Sequence, residues 1–291
     1  MSKLKTVEFR STLTQLEQLR DSKVLVLAAT HLDLDLLPHL YNELQHLGSV
    51  RQLDVVLQCR GGEINASRRI AMLLRSYCEQ LNILVPYFCQ SAATMLALAA
   101  DNIIAGELAM FSPIDPHLHG SGAGEAATAV SSLDISKFKD MAADWFGLSS
   151  EQSQTALLTT LCEQLFPPTL TAFYRASLEA QVIGEQLLQW QLPALPGEQR
   201  AAMIRNLLAG YHSHHYALSG DEMRQLGFNV KREPQLEALL WQLSLTLQQS
   251  VGAGAVERAD DSRVDTALIS TERVYLSVQQ PDQMKAAWLQ E

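Results

Sequence analysis

The stretch LDVVLQCRGGEINASRRIAMLLRSYCEQLNILVPYFCQSAATMLALAADNIIA, residues 53–105, decides the fold. Leu53 to Gln58 is an apolar run of strand length, and Gly61-Gly62 marks the turn that ends it. From Ile64 to Gln80 the apolar residues recur at helical spacing, with Ile70, Leu73, Leu74 and Tyr77 on one face. Ile83 to Phe88 reads as the next strand. Ala92 to Ala100 (AATMLALAA) is apolar on every side, which predicts a helix buried in the core, and Asn102 to Ala105 reads as a short strand after it. Upstream, Lys23 to Ala29 is a strand-like run, and His31 to Leu47 carries leucines at helical spacing. Strands alternating with helices predict an α/β fold around a mainly parallel sheet.

Beyond this core the pattern changes. Gly120 to Ala129 (GSGAGEAATA) is small, polar and glycine-rich, the composition of a flexible surface loop. Ile135 to Leu208 is almost entirely helical in pattern, with interruptions at Pro167-Pro168 and at Pro193 to Gly197. A further helix is expected at Pro234 to Ser250, a polar loop at Gly252 to Arg263 and a β-like end at Thr266 to Val278. No internal repeat is visible. We divide the chain into an N-terminal segment (1–22), an α/β core with a helical insertion (23–232), and a C-terminal helix with a β-like tail (233–291).

Composition narrows the class. Of 291 residues 47% are hydrophobic and 19% charged, which excludes a disordered or collagen-like chain. With 22 Lys+Arg against 32 Asp+Glu the formal net charge is −10. The largest basic cluster considered, Arg68/Arg69, is too small to neutralise phosphates, so no nucleic-acid partner is expected. Cys59, Cys78, Cys89 and Cys162 form no CxxC pair and no zinc spacing. They are expected as free thiols, with neither a metal nor another cofactor. The charged Met1 to Arg10 stretch lacks an apolar h-region, and no run approaches the roughly 20 apolar residues of a membrane span. A cytoplasmic location is the expectation.

Two strand-to-helix turns carry the chemistry: Cys59-Arg60-Gly61-Gly62 and Cys89-Gln90-Ser91-Ala92-Ala93-Thr94. In a parallel sheet both project from the carboxyl edge, where active sites of α/β folds gather. Ser91 then sits at the N-terminus of the buried helix, whose free N–H groups and positive dipole end favour developing negative charge. Gly61 and Gly62 let a main-chain N–H approach the same point. From the residues alone, Ser91 as a simple N-cap and Gly-Gly as a simple turn stay open beside this reading.

Gly61-Gly62-Glu63, Ser91 to Thr94, Leu96 to Asp101 (LALAAD), Ser112 to Pro116 (SPIDP), Tyr211 to Tyr216 (YHSHHY) and Glu222 to Phe228 (EMRQLGF) occur in an order that resembles the serine dehydrogenase proteinase family. That family is related to signal peptide peptidase A and to the Clp protease proteolytic subunit. The resemblance implies a ClpP/crotonase-like β-α-β core with a helical C-terminal extension. It also implies Ser91 as nucleophile, Gly62 and Ala92 as the N–H donors of an oxyanion hole, and Gly61 and Glu63 beside the substrate. Ser112 stands where the Clp type has its catalytic histidine. Ser136-Lys137-Phe138-Lys139-Asp140 resembles the lysine segment of signal peptide peptidase A, so Lys139 is the preferred base. Deprotonating such a lysine requires burial in an apolar site, for which Phe138, Met141, Trp145 and Phe146 are at hand.

The histidines are the alternative. His214-His215 aligns where relatives carry His-Asp, so His214 is the second candidate base and His215 replaces the acid. The tract His212, His214, His215 has no carboxylate or thiol partner at ligand spacing, so no metal is expected there. His117 and His119 read as surface or cleft residues, and Asp115 as an acceptor of backbone N–H groups in its own turn. The resemblance implies a cytoplasmic serine peptidase acting on peptide or protein substrates and assembling into a homo-oligomer. A regulatory or ATPase partner is left open. The competing reading is a catalytically inactive scaffold that binds a peptide or partner protein, and crotonase-like acyl-thioester chemistry ranks below both.

Overall fold

The computed structural model describes residues 6–119, 129–251, 263–279 and 287–290. It opens with α1 (Thr6–Arg20), β1 (Lys23–Ala29), a 3-10 turn at Leu34–Leu36, α2 (Leu37–Leu47), β2 (Val50–Cys59) and α3 (Ile64–Arg75). Then come β3 (Cys78–Val85), β4 (Phe88–Cys89), α4 (Ala92–Ala97), β5 (Asn102–Ala105), β6 (Met110–Phe111), β7 (His117–His119) and β8 (Ala129–Ser131). The helical part comprises α5 (Ser132–Phe146), α6 (Glu151–Gln164), α7 (Pro167–Gln191) and α8 (Gly197–Ala209). The chain continues through β9 (Leu218–Ser219), α9 (Gly220–Gln225), β10 (Val230–Lys231), α10 (Glu237–Ser250), β11 (Arg263–Ile269), β12 (Val274–Gln279) and β13 (Ala287–Gln290).

The main sheet runs β10-β5-β3-β2-β1-β11-β12-β13. Its first five strands are parallel, as the alternation predicted, while β11, β12 and β13 add an antiparallel flank. Side chains alternate between two cores. Leu25 and Leu27 face a layer with Leu40 and Leu44 of α2, Ile70 and Leu74 of α3, Ala93, Met95, Leu96 and Ala97 of α4, and Ile183 and Leu187 of α7. Val24, Val26 and Ala28 face Phe9, Leu13 and Leu16 of α1 and Leu240, Leu243 and Leu247 of α10. The sheet is thus covered on both faces, which is why its strands read as continuous apolar runs.

Several boundaries differ from the sequence expectation. The helix expected to run to Gln80 ends at Arg75, because β3 begins pairing with β2 already at Cys78 opposite Val50. The strand expected from Ile83 to Phe88 is divided at Pro86, which has no N–H for the ladder; Phe88–Cys89 pairs instead with β2 and β6. The buried helix stops at Ala97, followed by turns. α1 was not anticipated, although Phe9, Leu13 and Leu16 follow helical spacing. The expected flexible loop falls on residues 120–128, outside the described residues, as do the side chains of His117 and His119. Among the described residues no helix is long and apolar enough to cross a membrane.

At the amino ends of the strands a polar network ties the parallel sheet together. Asp54, Asn82 and Asn102 lie opposite one another in register. Asn82 Nδ2 donates to Asp54 Oδ1 (2.6 Å) and Asn102 Nδ2 to Asn82 Oδ1 (2.8 Å). Asp54 is fully buried and also accepts from Arg20, Ser22 and Gln52, while Arg20 reaches Glu233 at 2.6 Å. Removing one partner of a buried ion pair leaves an uncompensated charge. Arg20→Met is expected to lower the free energy of unfolding by about 3–5 kcal/mol in urea denaturation. Arg51→Met, which breaks the exposed pair with Asp21, should cost less than about 1 kcal/mol.

Candidate active site

β1, β2, β4 and β6 end at one edge of the structure, and the four turns that follow them meet there. Cys59 pairs with Cys89 and Cys89 with Phe111, which sets the Arg60-Gly61-Gly62 turn, Ser91 and Ser112 side by side. A fifth segment arrives from far along the chain. The antiparallel pairing of β6 with β9 places Leu218 opposite Phe111, so the residues before Leu218, including His214, run past those after Phe111, including Asp115.

Ser91 carries the constraint on which the site is built. Its backbone lies in the left-handed region at φ 51°, ψ −118°, sparsely populated for a residue with a Cβ. Such a sharp strand-to-helix turn lifts a side chain clear of the helix it precedes. A hydroxyl chain fixes it: Ser91 N–H donates to Ser112 Oγ (2.8 Å) and Ser112 Oγ to the Pro113 carbonyl (3.1 Å). Ser112 N–H donates to Thr94 Oγ1 (3.2 Å), and Thr94 Oγ1 to the Cys89 carbonyl (2.6 Å). Ser91 precedes α4 yet makes no side-chain cap hydrogen bond, so the simple N-cap role does not describe it.

The glycine turn is equally specified. Gly61 and Gly62 have φ of 138° and 143°. A Cβ on Gly62 would collide with the Leu32 backbone, and one on Gly61 would come within 3.1 Å of Ser91 Cβ. Leu32 N–H donates to the Gly61 carbonyl (2.8 Å) and Glu63 N–H to the Leu32 carbonyl (2.8 Å), which zips this turn to the one after β1. Cys59 Sγ donates to the Gly61 carbonyl (3.1 Å) and accepts from Gly61 N–H (3.4 Å). Burial pushes the Cys59 thiol up to about 12, so it keeps the proton it donates. Burial, and then the nearby Cys59, push Cys89 well above the usual thiol value. Neither Gly62 N–H nor Ala92 N–H donates in these turn bonds; Ala92, the first residue of α4, has no intrahelical acceptor. Ser67 Oγ donates to the Ala92 carbonyl (2.7 Å), anchoring the start of α4 to α3.

A cleft of about 510 Å³ opens over these turns. Six residues singled out in the sequence line it together: Ser91, Gly61, Gly62, Glu63, Asp115 and His214. Ala92 lies fully buried directly after Ser91. Lys139 is elsewhere. It is exposed on α5 and lines a groove between α5 and α6 with Ile135, Phe138, Glu151 and Leu158. Of the apolar residues expected around it, Phe138 lines the same groove, whereas Trp145 and Phe146 are 77% and 67% exposed. Lys137 pairs with Asp140 at 3.2 Å.

Asp115 is buried in the cleft lining, where it accepts from the Ser131 hydroxyl and from Ser132 Oγ (3.2 Å), so it ties the SPIDP segment to the start of α5. The sequence reading missed the far wall altogether. Ala176, Glu179 and Ala180 of α7 face the cleft, with His31 and Arg60 on the near side. Their three-and-four spacing shows that 176, 179 and 180 share a helix face, but no local signal tells which site that face covers. Among the described residues no group of three or more His, Cys, Asp or Glu side chains is arranged to hold a metal ion.

An uncharacterized protein of Methanocaldococcus jannaschii is 27% identical over 181 residues, which cover 62% of this chain and 54% of that protein. A second uncharacterized protein of the same organism is 32% identical over 66 residues, 23% of each chain. The chain therefore spans about half the length of the first of these relatives and less of the second. Among solved structures, a mutant of a membrane-bound stomatin-specific protease aligns at 13% identity with a TM-score of 0.41, over 74% of this chain and 80% of that one. A probable enoyl-CoA hydratase/isomerase from Mycobacterium abscessus aligns at 16% identity with a TM-score of 0.25, over 68% and 79%. The family of ClpP-like SDH-type serine proteinases matches residues 43–150. The resemblance read from the motifs is borne out over the segment that holds Gly62 and Ser91, which is similar to ClpP-like SDH-type serine proteinases.

Proposed function

We propose that the chain is a serine peptidase in which Ser91 is the nucleophile and His214 the general base. The observation that carries this reading is the left-handed Ser91 backbone, whose side chain is released from capping and directed to a cleft that His214 also lines. The family match over residues 43–150 supports the reaction class. In the reaction, Ser91 Oγ adds to the peptide carbonyl as its proton passes to His214, and the Gly62 and Ala92 N–H groups receive the oxyanion. The proton then passes to the leaving amine as the C–N bond breaks, and water hydrolyses the acyl-enzyme by the same route. Cys59 acts as a positioning residue, because its thiol shapes the turn that presents Gly62.

Lys139, the base that the resemblance implied, is left out of this reading: a lysine acts as base when an apolar site depresses its pKa, and Lys139 is exposed in another groove. Peptide or unfolded-protein segments are the proposed substrates. Assembly into a homo-oligomer is part of the proposal and is supported by α6, none of whose residues is buried, together with the exposed Trp145, Phe146 and Phe166 nearby in the chain.

Ser91→Ala is expected to abolish labelling by a fluorophosphonate and to lower peptidase activity at least about 10³-fold. Persistent labelling of that variant would remove Ser91 as nucleophile, and an unlabelled, inactive wild type would favour the binding scaffold. His214→Gln should lose labelling to a similar degree, whereas Lys139→Met should stay near the wild-type rate. The opposite pattern in those two variants would transfer the base role to Lys139.

A further inference from the structure

The cleft is asymmetric in charge. One wall is α7, where the half-buried Ala176, with the fully buried Ala180 one helical turn on behind it, leaves a low wall with Glu179 as its polar group. Asn65 Nδ2, from α3 on the other wall, donates to Glu179 Oε1 (3.1 Å). That bond holds the carboxylate at the rim and occupies one of its two oxygens. Glu63 lies on the same side as Asn65, and Asp115 lies deeper against the serine hydroxyls of residues 131 and 132. The one guanidinium of the lining, Arg60, is drawn over the Phe88 ring, with 3.8 Å from Cζ to the centroid. Phe88 is not among the lining residues, so this stacking holds the Arg60 guanidinium against a ring at the margin of the cleft, while Glu63 and Glu179 stand at its rim.

We infer that the cleft selects a peptide with a cationic side chain, lysine or arginine, next to the scissile bond, and that Glu179 is the residue that selects it. The inference rests on the serine-peptidase reading for the chemistry and on the cleft alone for the recognition. A long cationic side chain lays its methylenes along Ala176 and brings its charge to Glu179, with Glu63 across the opening. A volume of about 510 Å³ accommodates it. Because Glu179 and Glu63 are exposed at the rim, the preference is modest and sensitive to salt.

The test uses the full chain and matched peptides that differ only in Lys, Arg, Leu or Glu before the scissile bond. The expected order of kcat/KM is Lys and Arg above Leu by about fivefold, with Glu lowest. The spread should shrink between 0.1 M and 1 M salt, as the screening length falls from about 10 Å to about 3 Å. Glu179→Gln should bring Lys and Leu together, and Glu179→Lys should invert the order in favour of Glu. Equal values for Lys and Leu in the wild type, or a lysine preference that survives in Glu179→Lys, would overturn the inference. A second arm measures binding of fluorescent Lys and Leu peptides to the Ser91→Ala protein by polarisation. Tighter Lys binding without any fluorophosphonate labelling of the wild type would sustain the cleft preference and remove the peptidase reading. Equal binding with labelling intact would do the reverse.

Discussion

The backbone of Ser91 is held where an L-residue does not rest unaided, and the bond from its N–H to Ser112 Oγ is what holds it there. A left-handed non-glycine residue costs of the order of 1–3 kcal/mol, so the surroundings must over-determine it. Here they do so from both sides. Ser112 and Thr94 form a hydroxyl relay that ends on the Cys89 carbonyl, and α4 beyond Ser91 is buried on every side. Ser112 thus serves the geometry of the turn, receiving the Ser91 N–H and resting its own N–H on Thr94. The β6–β9 pairing brings a segment from far along the chain, with His214, to the same cleft.

The two ends of the parallel strands divide the labour. At the amino ends, Asp54, Asn82, Asn102 and Asn229 link strand to strand through side chains, with Arg20 and Arg75 as counter-ions. That end is closed and fully partnered. At the carboxyl ends the chain departs from the sheet in short turns with positive φ, exposing backbone donors and reactive side chains. A rigid base allows the opposite edge to carry strain, since the strand positions are not free to relax it.

Legibility of the sequence followed the range of the interactions involved. β1 and β5 end where their apolar runs end, and the all-apolar α4 was recognisable because burial on every side leaves no polar face. Gly61-Gly62 and Ser91 were legible because strand-to-helix turns of a parallel sheet project from one edge. The boundary at Cys78 was not, because it is set by register against β2 rather than by periodicity. Nor was the placement of Lys139: a local lysine motif says nothing about which groove α5 faces. Glu179 and His214 reach the cleft from 88 and 123 positions beyond Ser91 in the numbering, through packing of α7 and pairing of β9. Only the folded arrangement of those elements brings them to Ser91.

The zipper between Leu32 and Gly62 joins two turns that are otherwise separate in the chain. The Leu32 carbonyl and N–H are both engaged with the glycine turn, so the segment entering α2 is tied backbone to backbone to that turn. The 3-10 turn at Leu34–Leu36, whose Leu34 is 45% exposed, follows directly. That outer turn is thus coupled to the Gly61-Gly62 turn through two backbone hydrogen bonds, a short covalent and hydrogen-bonded path from the protein's rim to the floor of the cleft.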